Sequence, residues 1–200
     1  SYTPITALVL GQICLEAGIP EGVVNVLTGP GSEVGAAICE HPLVDKIAFT
    51  GETETGREIL RLSAGTIKKV SLELGGKSPN IVFPDADLEE AVNGSLFAIF
   101  SNAGQRCTAR TRLLLHESIH DRFMDEFLRK ASQLRIGDPL DENTQLGPLV
   151  SQRQCERVLR YVERAKSEGA TLRLGGKRPD DPALQRGNFV EPTIFDDVQP

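Results

Sequence analysis

Short apolar runs alternate with helical stretches along most of the chain, and this order constrains the fold more than any other feature. The runs short enough to be buried strands are residues 23–27, 47–49, 69–74, 80–83, 111–115 and 171–174. The helical patterns cover residues 5–17, 32–40, 54–63, 87–100, 118–134 and 151–168. Strands that alternate with helices form a parallel sheet with crossover helices. The sequence therefore predicts an α/β fold.

The glycine pair Gly75-Gly76 is the natural place to divide the chain. A chain of 200 residues with 40% hydrophobic content suffices for one core or for parts of two. We expect residues 1–75 and 76–200 to belong to two different domains. The chain opens at Ser1 directly on a helical pattern, without a preceding strand for that helix to pack on. We therefore expect it to be a piece of a longer protein.

The composition excludes several classes of partner. A net charge of -6 and a pI near 5.2 argue against nucleic acid, because phosphate binding requires clustered Lys and Arg. No apolar stretch approaches the roughly twenty residues of a membrane span, and no signal peptide opens the chain. The four cysteines form no C-x-x-C pair, so no structural zinc site is indicated. We expect a cytoplasmic protein without a metal, a nucleic acid or a membrane as partner.

Cys107 differs from the other cysteines in its surroundings. Most cysteines in soluble proteins are small buried hydrophobes, and Cys14, Cys39 and Cys155 fit that description because apolar residues surround them. Cys107 instead lies in a polar, glycine-containing segment between Arg106 and Arg110. Cationic neighbours favour the thiolate, which is the nucleophilic form of cysteine. Cys107 is therefore a candidate nucleophile.

Glu73 is a candidate partner for that thiol. Most glutamates are solvated surface groups, but Glu73 ends an alternating apolar run and two glycines follow the run. A carboxylate at the carboxyl end of a buried strand is more often functional than one on a helix face. A thiol can attack a carbonyl and hold the product as a thioester, and a carboxylate can activate the water that releases it. Together they would supply half of an oxidation mechanism.

Two predicted strand-to-helix turns are rich in glycine, at residues 29–35 and 50–56. Glycine lets a backbone approach a phosphate, and a helix N-terminus offers N–H groups to it. Neither turn has the G-x-G-x-x-G fingerprint, because Gly31 and Gly35 are separated by one residue too many. A nucleotide site and ordinary tight turns both remain open at this point.

Two further strings imitate known motifs. Residues 116–120 match the H-E-x-x-H pattern of zinc proteases, which requires both histidines on one helical face. His116 ends an apolar run and Ser118 is the predicted N-cap of the next helix, so we expect the two histidines not to share a helix. Residues 76–78 resemble the end of a P-loop, but Ser71 stands where that loop requires glycine.

The chain resembles the NAD(P)-dependent aldehyde dehydrogenase superfamily across essentially its whole length. The segments that carry the resemblance are EAGIPEGVVN at 16–25, FTG at 49–51 with Gly56, LELGGKSP at 72–79, NAGQRC at 102–107, GPL at 147–149 and EPT at 191–193. Several ordered motifs at familiar spacing are more specific than one short string. The resemblance implies a partial Rossmann-like parallel sheet in residues 1–75, joined to part of an α/β catalytic domain in residues 76–200.

The resemblance also implies catalytic roles. Cys107 would be the nucleophile that forms a thiohemiacetal with the aldehyde, and hydride would pass from that adduct to the nicotinamide. Glu73 would activate the water that hydrolyses the resulting thioester. The backbone N–H of Cys107 would donate one hydrogen bond to the developing oxyanion. The substrate would be a small aldehyde, and the full-length protein would be a homo-oligomer.

The implied cofactor is NAD, with NADP as the alternative. Residues along its pyrophosphate would be Thr50, Gly51, Glu52, Thr53 and Gly56. Gly31 would line the pocket, and Leu74 would lie near the nicotinamide end.

Two residues depart from the pattern of the family. Glu52 stands where members usually have serine, and its negative charge is unfavourable beside a pyrophosphate. Ser1 stands where NAD-preferring members often have a glutamate for the ribose hydroxyl, so NADP use stays open. In the family, other oxyanion and ribose contacts and the oligomerisation strand lie outside this stretch. We therefore expect the isolated chain to be inactive, and a non-catalytic binding or structural domain is the alternative.

Overall fold

The structure is a computed structural model, and it describes residues 2–199. The chain divides into two compact units, residues 1–75 and residues 76–200. We call them the N-terminal unit and the C-terminal unit and describe each by itself.

The N-terminal unit is built on a pair of parallel strands, β1 and β2, connected by a crossover helix, α3. Its elements are α1 (Ile5–Glu16), α2 (Ala36–Glu40), β1 (Lys46–Gly51), α3 (Thr53–Ser63) and β2 (Lys69–Leu74). The register runs from Lys46 opposite Lys69 to Gly51 opposite Leu74. Cys39, Ile47 and Ile59 form the buried core, which joins α2, β1 and α3. The α/β prediction and the parallel pairing are confirmed here.

The predicted strand at residues 23–27 is wrong. This segment is a bend followed by irregular backbone, and the side chains of Val23 and Leu27 are 67% and 68% exposed. β1 and β2 form a two-stranded sheet, so residues 23–27 do not extend it. The segment is organised locally instead, because Gly22 has a left-handed φ of 85° and its carbonyl accepts a hydrogen bond from the Asn25 side chain at 2.7 Å. The prediction failed because an apolar run does not show whether a neighbouring strand is present to pair with it.

The predicted helix at residues 32–40 is divided in two. A π-helical turn, Gly31–Gly35, comes first, and α2 follows it without a break. Pro30, rather than Ser32, takes the N-cap position. The Pro30 carbonyl accepts the N–H groups of both Glu33 and Val34, at 3.1 and 3.0 Å. These two hydrogen bonds begin the turn earlier than the serine would.

The C-terminal unit contains two separate pairs of strands with helices packed on them. Its elements are β3 (Pro79–Val82), α4 (Leu88–Phe100), β4 (Arg112–Leu115), α5 (His120–Ala131), α6 (Gln152–Ser167), β5 (Thr171–Leu174) and β6 (Ile194–Asp196). β3 and β4 are parallel, whereas β5 and β6 are antiparallel. The side chains of Asp87 and Ser151 cap α4 and α6. The core lies between β3, α4 and α5, where Val92 and Phe123 are fully buried.

The start of α5 differs from the prediction that Ser118 caps it. A 3₁₀ turn, Glu117–Ile119, precedes α5, and His116 caps this turn by accepting the Ser118 N–H at Nδ1. α5 itself begins at His120. The expectation that His116 and His120 do not share a helix is confirmed.

His120 connects α5 to β6 through a charged cluster. Its Nδ1 lies 2.8 Å from Asp121 Oδ1 and its Nε2 lies 3.2 Å from Asp196 Oδ1. These hydrogen bonds, with Asp121 first, raise the pKa of His120 above its usual value. Burial alone would raise the pKa of Asp196, but hydrogen bonds from His120 and the Asp197 backbone lower it. Arg173 also donates to Asp196 at 2.9 Å.

The cluster makes stability depend on pH. A raised histidine pKa stabilises the fold fully below about pH 6.5, and this stabilisation is lost as pH rises through the pKa of folded His120. The lowered pKa of Asp196 stabilises the fold above about pH 3.9, and that contribution is lost as pH falls through the pKa of folded Asp196. We expect His120→Gln to lower the free energy of unfolding most between these limits. Urea unfolding over a pH series measures this, and a pH-independent difference would contradict it.

Candidate functional site

The carboxyl end of the two parallel strands brings four predicted site residues together. Thr50 lies opposite Glu73, and Gly51 lies opposite Leu74. Glu73 is exposed, whereas Leu74 is half-buried, as the alternation of a strand with one covered face requires. The Glu73 carboxylate is therefore accessible to water beside the end of β1.

The N-terminus of α3 lies directly after the end of β1. Glu52 takes the N-cap position with an extended backbone (φ -77°, ψ 146°), and α3 begins at Thr53. The first N–H groups of a helix have no acceptor inside the helix, so they favour an anion. A helix N-terminus after a parallel strand is a usual phosphate-binding position. Glu52 and Thr53, both predicted cofactor residues, are exposed there.

Gly56 is closely packed within the N-terminal unit. It is buried in α3, and a Cβ built on it would lie 2.9 Å from Leu74 Cδ2 and 3.4 Å from Leu72 Cδ1. Its missing side chain allows α3 to approach β2 closely and to contact Leu74. Gly56 therefore acts through packing, whichever ligand the turn binds.

Gly31 belongs to a different part of the N-terminal unit. It begins the π-helical turn before α2, which precedes β1 in the chain. A Cβ built on it would have no heavy atom within 4 Å. Packing among the described residues therefore does not explain why position 31 is glycine. The backbone of Gly31 is open on this side.

Cys107 is exposed and follows a sharp turn at the end of α4. Asn102, Ala103 and Gly104 all have left-handed backbone conformations, with φ values of 53°, 52° and 70°. The turn is closed by a hydrogen bond from the Gln105 N–H to the Asn102 carbonyl at 3.0 Å. A left-handed conformation costs roughly 1–2 kcal/mol for a residue with a Cβ. The nucleophile candidate is thus presented by a strained turn.

The side chain of Gln105 connects this turn to a distant segment. The Val150 N–H donates to Gln105 Oε1 at 2.9 Å, and Gln105 Nε2 lies 3.5 Å from the Pro148 carbonyl oxygen. From the sequence alone, Gln105 is only a polar neighbour of Cys107. The sequence offers one indication of this contact: the motifs NAGQRC at 102–107 and GPL at 147–149 both belong to the C-terminal unit, so they could lie side by side.

Arg106 is held by neighbours within its own unit. Its guanidinium donates to Ser101 Oγ at 2.9 Å and lies over the Phe97 ring, 5.8 Å from the centroid. These contacts fix the cation beside the nucleophile segment.

The structure supports the prediction that Cys39 and Cys155 are buried apolar residues. Cys39 and Cys155 are buried, and burial raises the pKa of both thiols. Cys14 is half-buried on α1. Among the four cysteines, all within the described residues, only Cys107 is exposed.

Metal clusters and membrane-spanning helices have no candidate among residues 2–199. No group of three or more His, Cys, Asp or Glu within residues 2–199 could hold a metal ion. No helix in the same range is long and apolar enough to cross a membrane.

Ser1, which bears on the choice between NAD and NADP, lies outside the described residues.

Comparison with known proteins gives one consistent result. A model of the aldehyde dehydrogenase family matches residues 1–200. The chain is 50% identical over 194 residues to betaine aldehyde dehydrogenase 1 of Oryza sativa subsp. japonica, covering 97% of this chain and 38% of that protein. It is 49% identical over 193 residues to the betaine aldehyde dehydrogenase of Bacillus subtilis, covering 96% of this chain and 39% of that protein.

Solved structures agree with the sequence relatives. PnpE from Pseudomonas sp. WBC-3 has a TM-score of 0.95 at 49% identity, over 96% of this chain and 40% of that one. The betaine aldehyde dehydrogenase of Staphylococcus aureus in complex with NAD+ has a TM-score of 0.94 at 40% identity, over 98% of this chain and 39% of that one. The chain thus spans about two fifths of the length of these relatives.

The contact between Gly56 and Leu74 is testable by adding one methyl group. We expect Gly56→Ala to be less stable than Gly94→Ala by about 1 kcal/mol, because its Cβ would force the Leu74 side chain to shift and so offset the gain in helix propensity that alanine brings. Gly94→Ala is the matched control: it is also inside a helix, but its Cβ would have no neighbour within 4 Å. The control should be stabilised by roughly 0.5–1 kcal/mol. Urea unfolding of both variants checks this, and equal effects would refute the packing argument.

Proposed function

The chain belongs to the aldehyde dehydrogenase family, and from that premise we propose that the protein oxidises an aldehyde to a carboxylic acid with NAD or NADP. The observation that carries this proposal is the exposed thiol of Cys107 on the left-handed turn after α4. An exposed thiol can reach a substrate carbonyl, and the strained turn that precedes it is a feature that clusters at functional sites.

Cys107 acts first in the proposed reaction. Its thiolate adds to the carbonyl carbon, a C–S bond forms, and the carbonyl electron pair moves to oxygen. The backbone N–H of Cys107 donates a hydrogen bond to that oxygen as charge develops on it. A nicotinamide held by the N-terminal unit would supply the oxidising chemistry, as the acceptor of the hydride from the former aldehyde carbon. The product on the enzyme is a thioester of Cys107.

Glu73 acts in the second half of the reaction. Its carboxylate takes a proton from a water molecule as the water oxygen attacks the thioester carbon. The C–S bond then breaks, the carboxylic acid leaves, and Cys107 returns as thiolate. The exposure of Glu73 at the end of β2 supports this assignment, because a base for hydrolysis must reach solvent water.

The N-terminal unit offers features that fit a dinucleotide. The N-terminus of α3 would hold the pyrophosphate, with Thr50, Gly51, Glu52 and Thr53 around it and Gly56 seating the helix against β2, and Gly31 would line the pocket. Leu74, opposite Gly51, would lie near the nicotinamide. NAD is the cofactor in the related S. aureus structure, which supports NAD here.

Glu52 favours one alternative, a domain of this family that does not bind the cofactor. Its carboxylate lies at the helix N-terminus, where the pyrophosphate charge would repel it. Calorimetry of the complete protein with NAD and with NADP separates the two hypotheses. Binding of either cofactor supports the oxidoreductase, and binding of neither supports the alternative.

The aldehyde, the assembly and the location are further parts of the proposal. Several relatives are named betaine aldehyde or aminoaldehyde dehydrogenases, so a substrate panel should begin with those aldehydes. We propose a homo-oligomer in the cytoplasm, which light scattering and cell fractionation would test. Fractionation matters because plant relatives include peroxisomal and chloroplastic proteins.

The role of Cys107 predicts the loss of activity on its removal. In the complete protein, Cys107→Ala should abolish aldehyde-dependent NAD(P)H formation, because no thioester can form. Cys14→Ala is the control, since Cys14 is half-buried and has no part in the mechanism. NAD(P)H absorbance measures both. Normal turnover by Cys107→Ala would show that another group is the nucleophile.

The role of Glu73 predicts a change in the time course. Glu73→Gln should still form the thioester, so a burst of NAD(P)H should persist, while steady-state turnover falls by roughly 10²–10⁴-fold. Glu58→Gln, which changes another exposed glutamate of the same unit, should leave both phases intact. Stopped-flow absorbance resolves the two phases. Loss of the burst itself in Glu73→Gln would argue against a purely hydrolytic role.

A further inference from the structure

We infer that Gln105 is a positioning residue for Cys107. Its side chain fixes the turn that carries the nucleophile to the backbone of residues 148–150. This inference rests on the proposed function of Cys107, and it adds a residue that acts through the nucleophile without touching the substrate.

The turn before Cys107 needs an external support. Three successive left-handed residues, Asn102, Ala103 and Gly104, follow α4 and its C-cap Ser101 and change the chain direction. Ala103 has neither the freedom of glycine nor a polar side chain to hold this conformation. Strained conformations of this kind persist only where the surrounding structure determines them. The Asn102 side chain gives local support by donating to the Gln105 carbonyl at 3.3 Å.

Gln105 supplies a contact from outside the turn. Its Oε1 accepts the Val150 N–H at 2.9 Å, which is a normal length for this type of hydrogen bond. Its Nε2 faces the Pro148 carbonyl at 3.5 Å, a longer and weaker contact. A carboxamide has both a donor and an acceptor, so it can satisfy an N–H and a C=O of the same segment. The side chain is half-buried, which limits competition from water.

The segment that receives Gln105 is itself anchored in the C-terminal unit. The side chains of Leu146 and Leu149, which precede Val150, are 3% and 8% exposed. The Leu149 N–H donates to the Asn188 carbonyl at 3.0 Å, and the Leu146 carbonyl accepts from the Gly137 N–H at 3.2 Å. These contacts make residues 146–150 a fixed support.

Support of this kind matters for a covalent nucleophile. The reacting atoms must lie about 3–3.5 Å apart with correct alignment, and a displacement of about 1 Å can cost on the order of 10²-fold in rate. Cys107 is two positions after Gln105, and its side chain is exposed, so the backbone of the turn determines where the thiol lies. Loss of the Gln105 contact should therefore slow thioester formation and leave the fold largely unchanged.

The test compares two glutamines of the same unit in the complete protein. Gln105→Met keeps the length of the side chain and removes the contacts with Val150 and Pro148, together with a weak one from Gln105 Nε2 to the Asn102 carbonyl at 3.4 Å within the turn. Gln145→Met is the matched control, because Gln145 also uses its side chain to accept a backbone N–H, that of Arg135 at 3.1 Å, and lies outside the turn. We expect the burst rate of Gln105→Met to fall about 10- to 100-fold, with cofactor affinity unchanged. The burst rate of Gln145→Met should stay within about twofold of the wild-type rate.

Hydrogen exchange gives a second readout that does not depend on activity. In Gln105→Met, the Val150 amide should exchange at least tenfold faster, while the Leu149 amide keeps its acceptor at Asn188. Gln105→Glu retains an oxygen for Val150 and should preserve protection of that amide. A normal burst rate in Gln105→Met would overturn the inference, as would equal losses in both methionine variants. Wild-type protein without aldehyde oxidation would instead refute the proposed function, and Val150 exchange would still report whether the contact exists.

Discussion

The parallel pairing of β1 and β2 is the constraint on which the N-terminal unit depends. Parallel strands cannot be joined by a tight turn, so the chain must cross over the sheet, and α3 makes this crossover. The crossover places the N-terminus of α3 at the same strand end as Glu73 and Leu74. Gly56 then lets α3 lie close against β2. The proposed base and the proposed phosphate site therefore follow from one topological requirement.

In the C-terminal unit, the candidate nucleophile is positioned by an irregular turn and not by the end of a strand. Cys107 lies after an abrupt left-handed turn, so its position depends on contacts that hold the turn. The buried cluster of Val92, Phe123 and their neighbours fixes α4, and Gln105 connects the other end of the turn to residues 148–150. A rigid helix on one side and an anchored segment on the other together determine the path of an irregular backbone.

Periodicity predicted most elements because burial on one face leaves a pattern in the sequence. It gave both ends of β2 and located α3, α4 and α6 to within a residue or two. It failed at residues 23–27, where an apolar run does not say whether a neighbouring strand exists. Motifs identified Cys107 and Glu73 as candidates. The left-handed conformations of Asn102 and Ala103 could not be predicted, since neither is glycine, and the partner of Gln105 is far away in the sequence.

The glycine-rich turn at residues 50–56 shows why each glycine needs its own explanation. Gly56 is explained by Leu74, so it says nothing about phosphate. The anion preference of this turn therefore rests on the backbone N–H groups at the start of α3, opposed by the Glu52 carboxylate. Glu52 is the N-cap residue of α3, so its charge lies within a Debye length of about 8–10 Å of an anion at the helix start, and salt screens the repulsion only in part. Binding of a pyrophosphate at this turn is therefore a balance between direct hydrogen bonds from the first N–H groups of α3 and repulsion from the Glu52 carboxylate.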